Sequence, residues 1–273
     1  MKTLILTFHP VHRGDGYAAN DHIAFQETLR ELSELRIPCR PLHQLISALS
    51  NPIARWRLPE RFVALTCDDG ELGEVAQLPA FDGTLSPSFS ELQNQFVSAQ
   101  KACDGIPHIT SFVIASEDAR SQIRPNGDLT HSWWKGVAQS KLGAIENHSW
   151  DHCHPDVSEI RQRTQAKGTF KGVDTYDDAD MQIRQAALVI DKMIAPRRTS
   201  LFAYPFGDTN EYLVHEYLPR FRNEHGMSAA FTTEPAPVTR NSNRWTLPRY
   251  VCGHDWKSSE ELRALLKDAN ILR

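Results

Sequence analysis

Two stretches of the chain carry side chains whose types and spacing could do chemistry. The first is Thr66-Cys67-Asp68-Asp69-Gly70, where two adjacent carboxylates follow the apolar run Phe62-Val63-Ala64-Leu65. A short apolar run bounded by a turn signal predicts a buried strand, which delivers both acids to the rim of a sheet or barrel. Adjacent carboxylates repel, and each raises the other's pKa unless a cation separates them. A metal resolves the conflict if one aspartate binds it and the other stays free as a base. Taken alone, Asp-Asp-Gly is more often a solvated turn.

The second stretch, Gly143-Ala144-Ile145-Glu146-Asn147-His148-Ser149-Trp150-Asp151-His152, shifts that balance. Another short apolar segment runs into two histidines four residues apart, and helical or turn geometry puts both imidazoles on one side. Two neutral imidazoles and one carboxylate form a ligand set for Zn²⁺ or Fe²⁺ that leaves positions open for water and substrate. A chain with twelve histidines shows a lone His-x-x-x-His by chance. Two polar clusters, each at the end of a strand-like run, arise by chance far less readily.

The elements that must position these groups read as alternating strands and helices. Strands are expected at Thr3–Phe8, from Phe62 onward, at His108–Ala115, from Gly143 to His148, at Ser200–Tyr204, Ser228–Thr232 and Arg244–Val251. Helices are expected at Asp21–Leu35, Leu42–Leu49, Glu91–Cys103, His131–Gln139, Asp178–Ile194 and Glu211–Glu224, the last interrupted at Pro219. A final helix opens with the capping box Ser258-x-x-Glu261 and runs to about Asp268. Such alternation predicts parallel βα units of the α/β class, with active residues at the carboxyl ends of the strands. Residues 71–88 are turn-rich, longer than an ordinary connection, and expected to act as a lid or substrate loop.

Composition excludes some partners. A net charge of −4, a pI near 6.3 and the lack of any basic block argue against nucleic acid or an anionic membrane surface. No run is long enough to span a bilayer. The chain of 273 residues, 40% apolar, shows no linker, so a single domain over residues 1–273 is expected. Met1–Pro10 reads as a first strand rather than a signal peptide, which leads us to expect a cytoplasmic protein. Five scattered cysteines (Cys39, Cys67, Cys103, Cys153, Cys252) fit reduced thiols. Cys153, although beside His152, is expected to be a buried thiol rather than a ligand.

Thr66-Cys67-Asp68-Asp69-Gly70 resembles the Thr-Phe-Asp-Asp-Gly motif of the polysaccharide deacetylases, the NodB-homology or carbohydrate esterase 4 group. Asn147–His152 resembles that family's second motif, and Phe202-Ala203-Tyr204-Pro205-Phe206-Gly207 its third. The likeness runs from about Leu4 to Trp256. It implies the family's distorted, incomplete (β/α) barrel, which the pattern of elements does not distinguish from a doubly wound sheet. It also implies that Asp69, His148 and His152 hold a divalent metal, zinc first, with nickel, cobalt, iron or manganese as alternatives. Asp68 would then be the general base, and a backbone N–H near Phe206 would hold the oxyanion.

An amide leaving group needs a proton. In many family members a histidine near the C-terminus supplies it; Phe8-His9-Pro10 is instead similar to the poly-N-acetylglucosamine deacetylase branch, which favours His9 over His254. Cys67 stands in place of the usual Phe. Ala203 stands where much of the family has an arginine that orients the base, and Arg249 is the candidate replacement. Trp150, Tyr204, Phe206 and Trp256 are candidates for stacking on a sugar ring. His154 is expected outside the ligand set, and His12, His22, His43, His108, His131, His215 and His225 are read as ordinary. The function expected is removal of an N-acetyl or other N-acyl group from an amino-sugar-containing substrate. Hydrolysis of another linear or cyclic amide, or a non-catalytic carbohydrate-binding homologue, are the alternatives.

Overall fold

The computed structural model describes residues 1–99, 105 and 107–272. Its strands in chain order are β1 (Lys2–Phe8), β2 (Arg61–Cys67), β3 (Leu78–Pro79), β4 (Leu85–Ser86), β5 (Ile109–Val113), β6 (Gly143–Asn147), β7 (Leu201–Ala203), β8 (Ala229–Phe231), β9 (Val238–Thr239) and β10 (Tyr250–Val251). Eight of them form one sheet in the order β10-β1-β2-β5-β6-β7-β8, with β9 added antiparallel to β1. The other pairings in this sheet are parallel. The sheet curls into an incomplete (β/α) barrel. Its gap is crossed by one segment: Leu247 bridges Phe231 of β8, and three residues on Tyr250 pairs with Leu6 of β1.

Strand parity decides which side chains face inward. Ile5, Phe62, Ala64, Phe112, Leu201, Ala203 and Phe231 pack together inside the barrel. Their neighbours in sequence, Leu4, Leu6, Phe8, Val63, Leu65 and Cys67, pack outward against the helices. The period of two then continues past the strand ends. Thr66 and Asp68 extend the inner face of β2, and Thr7 and His9 that of β1. The register Phe8↔Cys67 sets His9 beside Asp68, and a backbone bond from the Asp68 N–H to the Phe8 carbonyl at 3.2 Å extends the ladder to that point. Cys67 is fully buried and packs in the helix-side cluster.

The helices are α1 (Asp21–Glu34), α2 (Leu42–Ser50), α3 (Pro52–Trp56), α4 (Phe89–Ala99), α5 (Glu117–Ile123), α6 (Trp134–Gln139), α7 (Tyr176–Ala179), α8 (Ala186–Ile194), α9 (Leu218–Arg220), α10 (Arg222–His225) and α11 (Ser259–Asp268). The final turn expected for α4, toward Cys103, lies outside the described residues. The expected helix over residues 178–194 is interrupted by a π-helical stretch, Asp180–Gln185, between α7 and α8. The helix expected from Glu211 is not broken at Pro219; it runs through that residue behind a π-helical stretch (Tyr212–Tyr217) and breaks at Phe221. At the start of α11 the Ser258 hydroxyl accepts from the Glu261 N–H, while the Glu261 carboxylate accepts from Lys257 rather than from Ser258. The strand expected over residues 244–251 reduces to the Leu247 bridge and β10. No helix among the described residues is long and apolar enough to cross a membrane.

Candidate active site

The cavity at the carboxyl ends of β1, β2, β5 and β6 has a volume of about 250 Å³. Its lining includes His9, Asp68, Asp69, His148, His152 and Phe206, so the geometry brings together most of the residues singled out from sequence. Each arrives by a local device. His9, Asp68 and His148 sit just past strand ends on the inner parity. Asp69 (φ 72°) and His152 (φ 61°) depart from that parity through left-handed backbone. Gly70 follows at φ 81°, and a Cβ there would lie 2.8 Å from Val113 Cγ1, so the turn after the two acids accepts no side chain.

The turn between His148 and His152 is held by its own polar residues. Asn147 Oδ1 accepts from the Ser149 N–H at 2.9 Å, and Ser149 Oγ accepts from the His152 N–H at 2.9 Å. Asp151 accepts from the Cys153 N–H at 2.9 Å and from Gln182 Nε2 at 2.9 Å. Gln182 lies in the π-helical stretch and also accepts from the Trp150 N–H at 3.1 Å. Its part in the site was not legible, because a π-bulge leaves no trace in hydrophobic periodicity.

Asp69, His148 and His152 could hold a metal ion, and three features fit one. Asp69 Oδ1 lies 3.7 Å from His148 Nε2 and 3.6 Å from His152 Nε2. Those gaps are too long for hydrogen bonds, and close to the ~3.4 Å between ligand atoms on a tetrahedral ion with ~2.1 Å bonds. His148 Nδ1 donates to the Ala203 carbonyl at 2.9 Å, so in the neutral ring the Nε2 lone pair faces the cluster. Burial, together with the neighbouring His148 ring, pushes the His152 imidazole down to about 3, which leaves it neutral and able to ligate.

Asp68 stands just outside this cluster, its Oδ2 3.9 Å from His148 Nε2. Arg249, fully buried, grips it at both oxygens: Nη1 to Oδ1 and Nη2 to Oδ2, each 2.7 Å. Arg249 Nε donates to the Thr232 carbonyl at 3.0 Å, and the guanidinium lies 5.4 Å from the Phe112 ring centre. Arg249 is carried between β8 and β1 by the segment that crosses the barrel gap, which gives it reach to the inner rim. Burial favours a neutral Asp68, but the Arg249 charge and the nearby His148 outweigh it and hold the carboxyl well below the usual range.

The expectations for three of the four aromatics need correction, while those for His254 and Cys153 match their placement. Tyr204 is fully buried, donates its hydroxyl to the Trp245 carbonyl at 2.9 Å and does not line the cavity, so it has no face for a sugar. Trp256 is likewise buried, with Nε1 on the Tyr17 hydroxyl at 3.1 Å. Trp150 packs with the cluster around Ile145 and Trp133. Among these aromatics only Phe206, 41% exposed and at φ 59°, lines the cavity, its ring 4.5 Å from that of His152. His254, with its side chain 82% exposed, pairs with Asp255 and lies away from the cavity. Cys153 is buried near Gln162. In the 71–88 segment Glu71 alone lines the cavity, while β3 and β4 form a separate hairpin. Arg124, Ile123 and Leu129 form a wall that had no sequence signal, since α5 was not expected. Burial pushes Glu71 up to about 7 although Arg124 Nε donates to it at 3.0 Å.

No protein-family model matches the chain, and no curated protein does. Among solved structures it is similar to IcaB from Ammonifex degensii (TM-score 0.65, 18% identity, covering 97% of this chain and 96% of that one). It is also similar to the Streptococcus pyogenes deacetylase PplD in complex with acetate (TM-score 0.64, 17% identity, 97% and 98%). A third is a polysaccharide deacetylase from Bacillus cereus (TM-score 0.61, 15% identity, 97% and 69%). Over nearly its whole length, this chain therefore has the fold of the polysaccharide deacetylases.

Proposed function

We propose that residues 1–273 form one catalytic domain that hydrolyses an N-acyl bond, N-acetyl first among them, on an amino-sugar-containing substrate. What supports this reading is one arrangement: an Asp-His-His cluster at metal-ligand spacing with a second, separately clamped carboxylate beside it. A protein that only bound carbohydrate would have no use for that carboxylate. Solved structures that share the fold include proteins named as deacetylases, one of them in complex with acetate.

Asp69, His148 and His152 would hold a divalent ion, zinc first and then nickel, cobalt, iron or manganese, which would supply Lewis acidity toward water and the acyl oxygen. Asp68 accepts the proton of the attacking water. The Arg249 fork keeps Asp68 ionised and fixes where its oxygens point, and it also weakens Asp68 as a base. The Asp68 contribution is therefore orientation as well as proton transfer. The Phe206 N–H is the donor to the developing oxyanion, and the Phe206 ring offers a sugar its apolar face. His9, in the same cavity, donates a proton to the leaving nitrogen.

The test is acetate release from N-acetylated chitooligosaccharides by metal-loaded and by chelated protein. Release that stops on chelation and returns with zinc is the expected result. Hydrolysis confined to other linear or cyclic amides would move the chemistry to a different substrate. Oligosaccharide binding without release by the loaded protein would reject the enzyme reading.

A further inference from the structure

We propose that His9, His12 and Asp21 form a second, weaker zinc site on the rim of the cavity, and that an ion there switches the enzyme off by occupying His9. The three side chains each present a ligand atom, and these atoms lie within 4.8 Å of one another. His12 Nδ1 and Asp21 Oδ1 share a hydrogen bond at 3.2 Å, a contact that a bound ion would replace. The donor set, two imidazoles and a carboxylate, is that of the first cluster.

Local structure holds the three groups together, with His12 and Asp21 bonded to each other and His9 Nδ1 left without a partner. The His12 N–H donates to the His9 carbonyl at 2.9 Å and the Asp21 N–H to the His12 carbonyl at 3.0 Å, which closes a tight turn between the two imidazoles. Asn20, not Asp21, caps α1, taking the N–H groups of His22 and Ile23. The buried Asp21 carboxylate is anchored at Oδ2 by the His9 N–H at 2.6 Å, which leaves Oδ1 turned to His12. His9 Nδ1 is buried with no hydrogen-bond partner, an arrangement that costs stability unless something binds it. The His12 side chain is 52% exposed and offers the ion a way in from solvent, while His9 faces the cavity. The inhibitory half of this inference rests on His9 being the proton donor, since an imidazole bound to an ion through either nitrogen cannot be the imidazolium that gives up a proton.

The test is equilibrium dialysis of metal-stripped protein against zinc, with bound metal counted. Two ions per chain are expected, the second at least ~10-fold weaker than the first. His12→Gln should lose the weak ion and keep the tight one; Asp69→Asn should do the reverse. A wild-type count that saturates at one, or a second ion that survives in His12→Gln, overturns the site. In turnover assays, wild-type activity should rise to one equivalent of zinc and fall beyond it, while His12→Gln stays level at excess. Two bound ions with wild-type turnover unchanged at excess would overturn the inhibition. A chain without deacetylase activity would remove the proposed function, and the metal count would still decide the site.

Discussion

The two sides of the cavity are built differently. On one side His9, Asp68 and His148 stand at strand ends, and the two of them nearest the metal-ligand cluster, Asp68 and His148, each have a buried partner set by the register of the barrel. Asp68 is gripped by Arg249, and His148 is tied to the Ala203 carbonyl. On the other side Glu71, Arg124, Ile123 and Leu129 come from connections, held by bonds such as Arg124 to Glu71 and the Leu72 N–H to the Asp128 carbonyl. Groups that must meet an ion or a proton within a few tenths of an ångström belong on rigid elements. Groups that choose a substrate can sit on segments free to vary without disturbing the sheet.

Substitutions on the two sides should therefore differ in kind as well as size. The largest effect is expected for Asp69→Asn or His148→Ala, which should empty the tight metal site and cut turnover by at least ~10³-fold, read by metal analysis and acetate release. If the metal stays, the strand-tip side is not what it is taken to be. His9→Gln should lower turnover by ~10²–10⁴-fold with the tight metal equivalent intact; near-normal turnover would return the acid role to another group. Arg249→Lys should lower kcat by roughly 10-fold or more with little change in KM, because an ammonium cannot hold both oxygens of Asp68. Arg249→Ala adds a stability loss of about 3–5 kcal/mol, since it strands a buried carboxylate. A change in KM alone would place Arg249 with the loop side.

Arg124→Ala should show the opposite split: KM up several-fold, as for the loss of about 1 kcal/mol of contact, with kcat nearly kept. The smallest effect concerns Glu74, which lies behind the loop wall, is bonded to Ser111 and is pushed by burial from 4.5 up to about 8. Its folded pKa is raised, so its contribution to stability is complete below pH 4.5 and is lost as pH climbs toward 8. Glu74→Gln should accordingly melt near the wild type at pH 5 and above it at pH 9. Equal melting temperatures at both pH values would show that burial of Glu74 is not what sets its ionisation.

The strand-tip side was legible for a physical reason. A strand ending in Asp-Asp-Gly, or running into His148, carries its period of two and its turn chemistry in adjacent residues, so local sequence suffices. His9 over His254 was legible from Phe8-His9-Pro10 as a resemblance, and the structure puts His9 in the cavity and His254 on the surface. The loop side was not legible. Arg124 follows a seven-residue helix too short for periodicity to register, and Glu71 reads as one more acid in a turn-rich segment. Tyr204 and Trp256 misled because an aromatic next to a motif gives no sign of whether its ring faces the cavity or the core.

The order of strands and helices, the parity that turns Asp68 inward and the donor types that suit a metal are all written in short stretches of sequence, because each depends on neighbours a few residues apart. Closure of the barrel is not. Arg249 reaches Asp68 across 181 positions only because the segment after Leu247 leaves β8 and joins β1. Such contacts arise from register and chain crossing between distant segments, which only the folded chain decides.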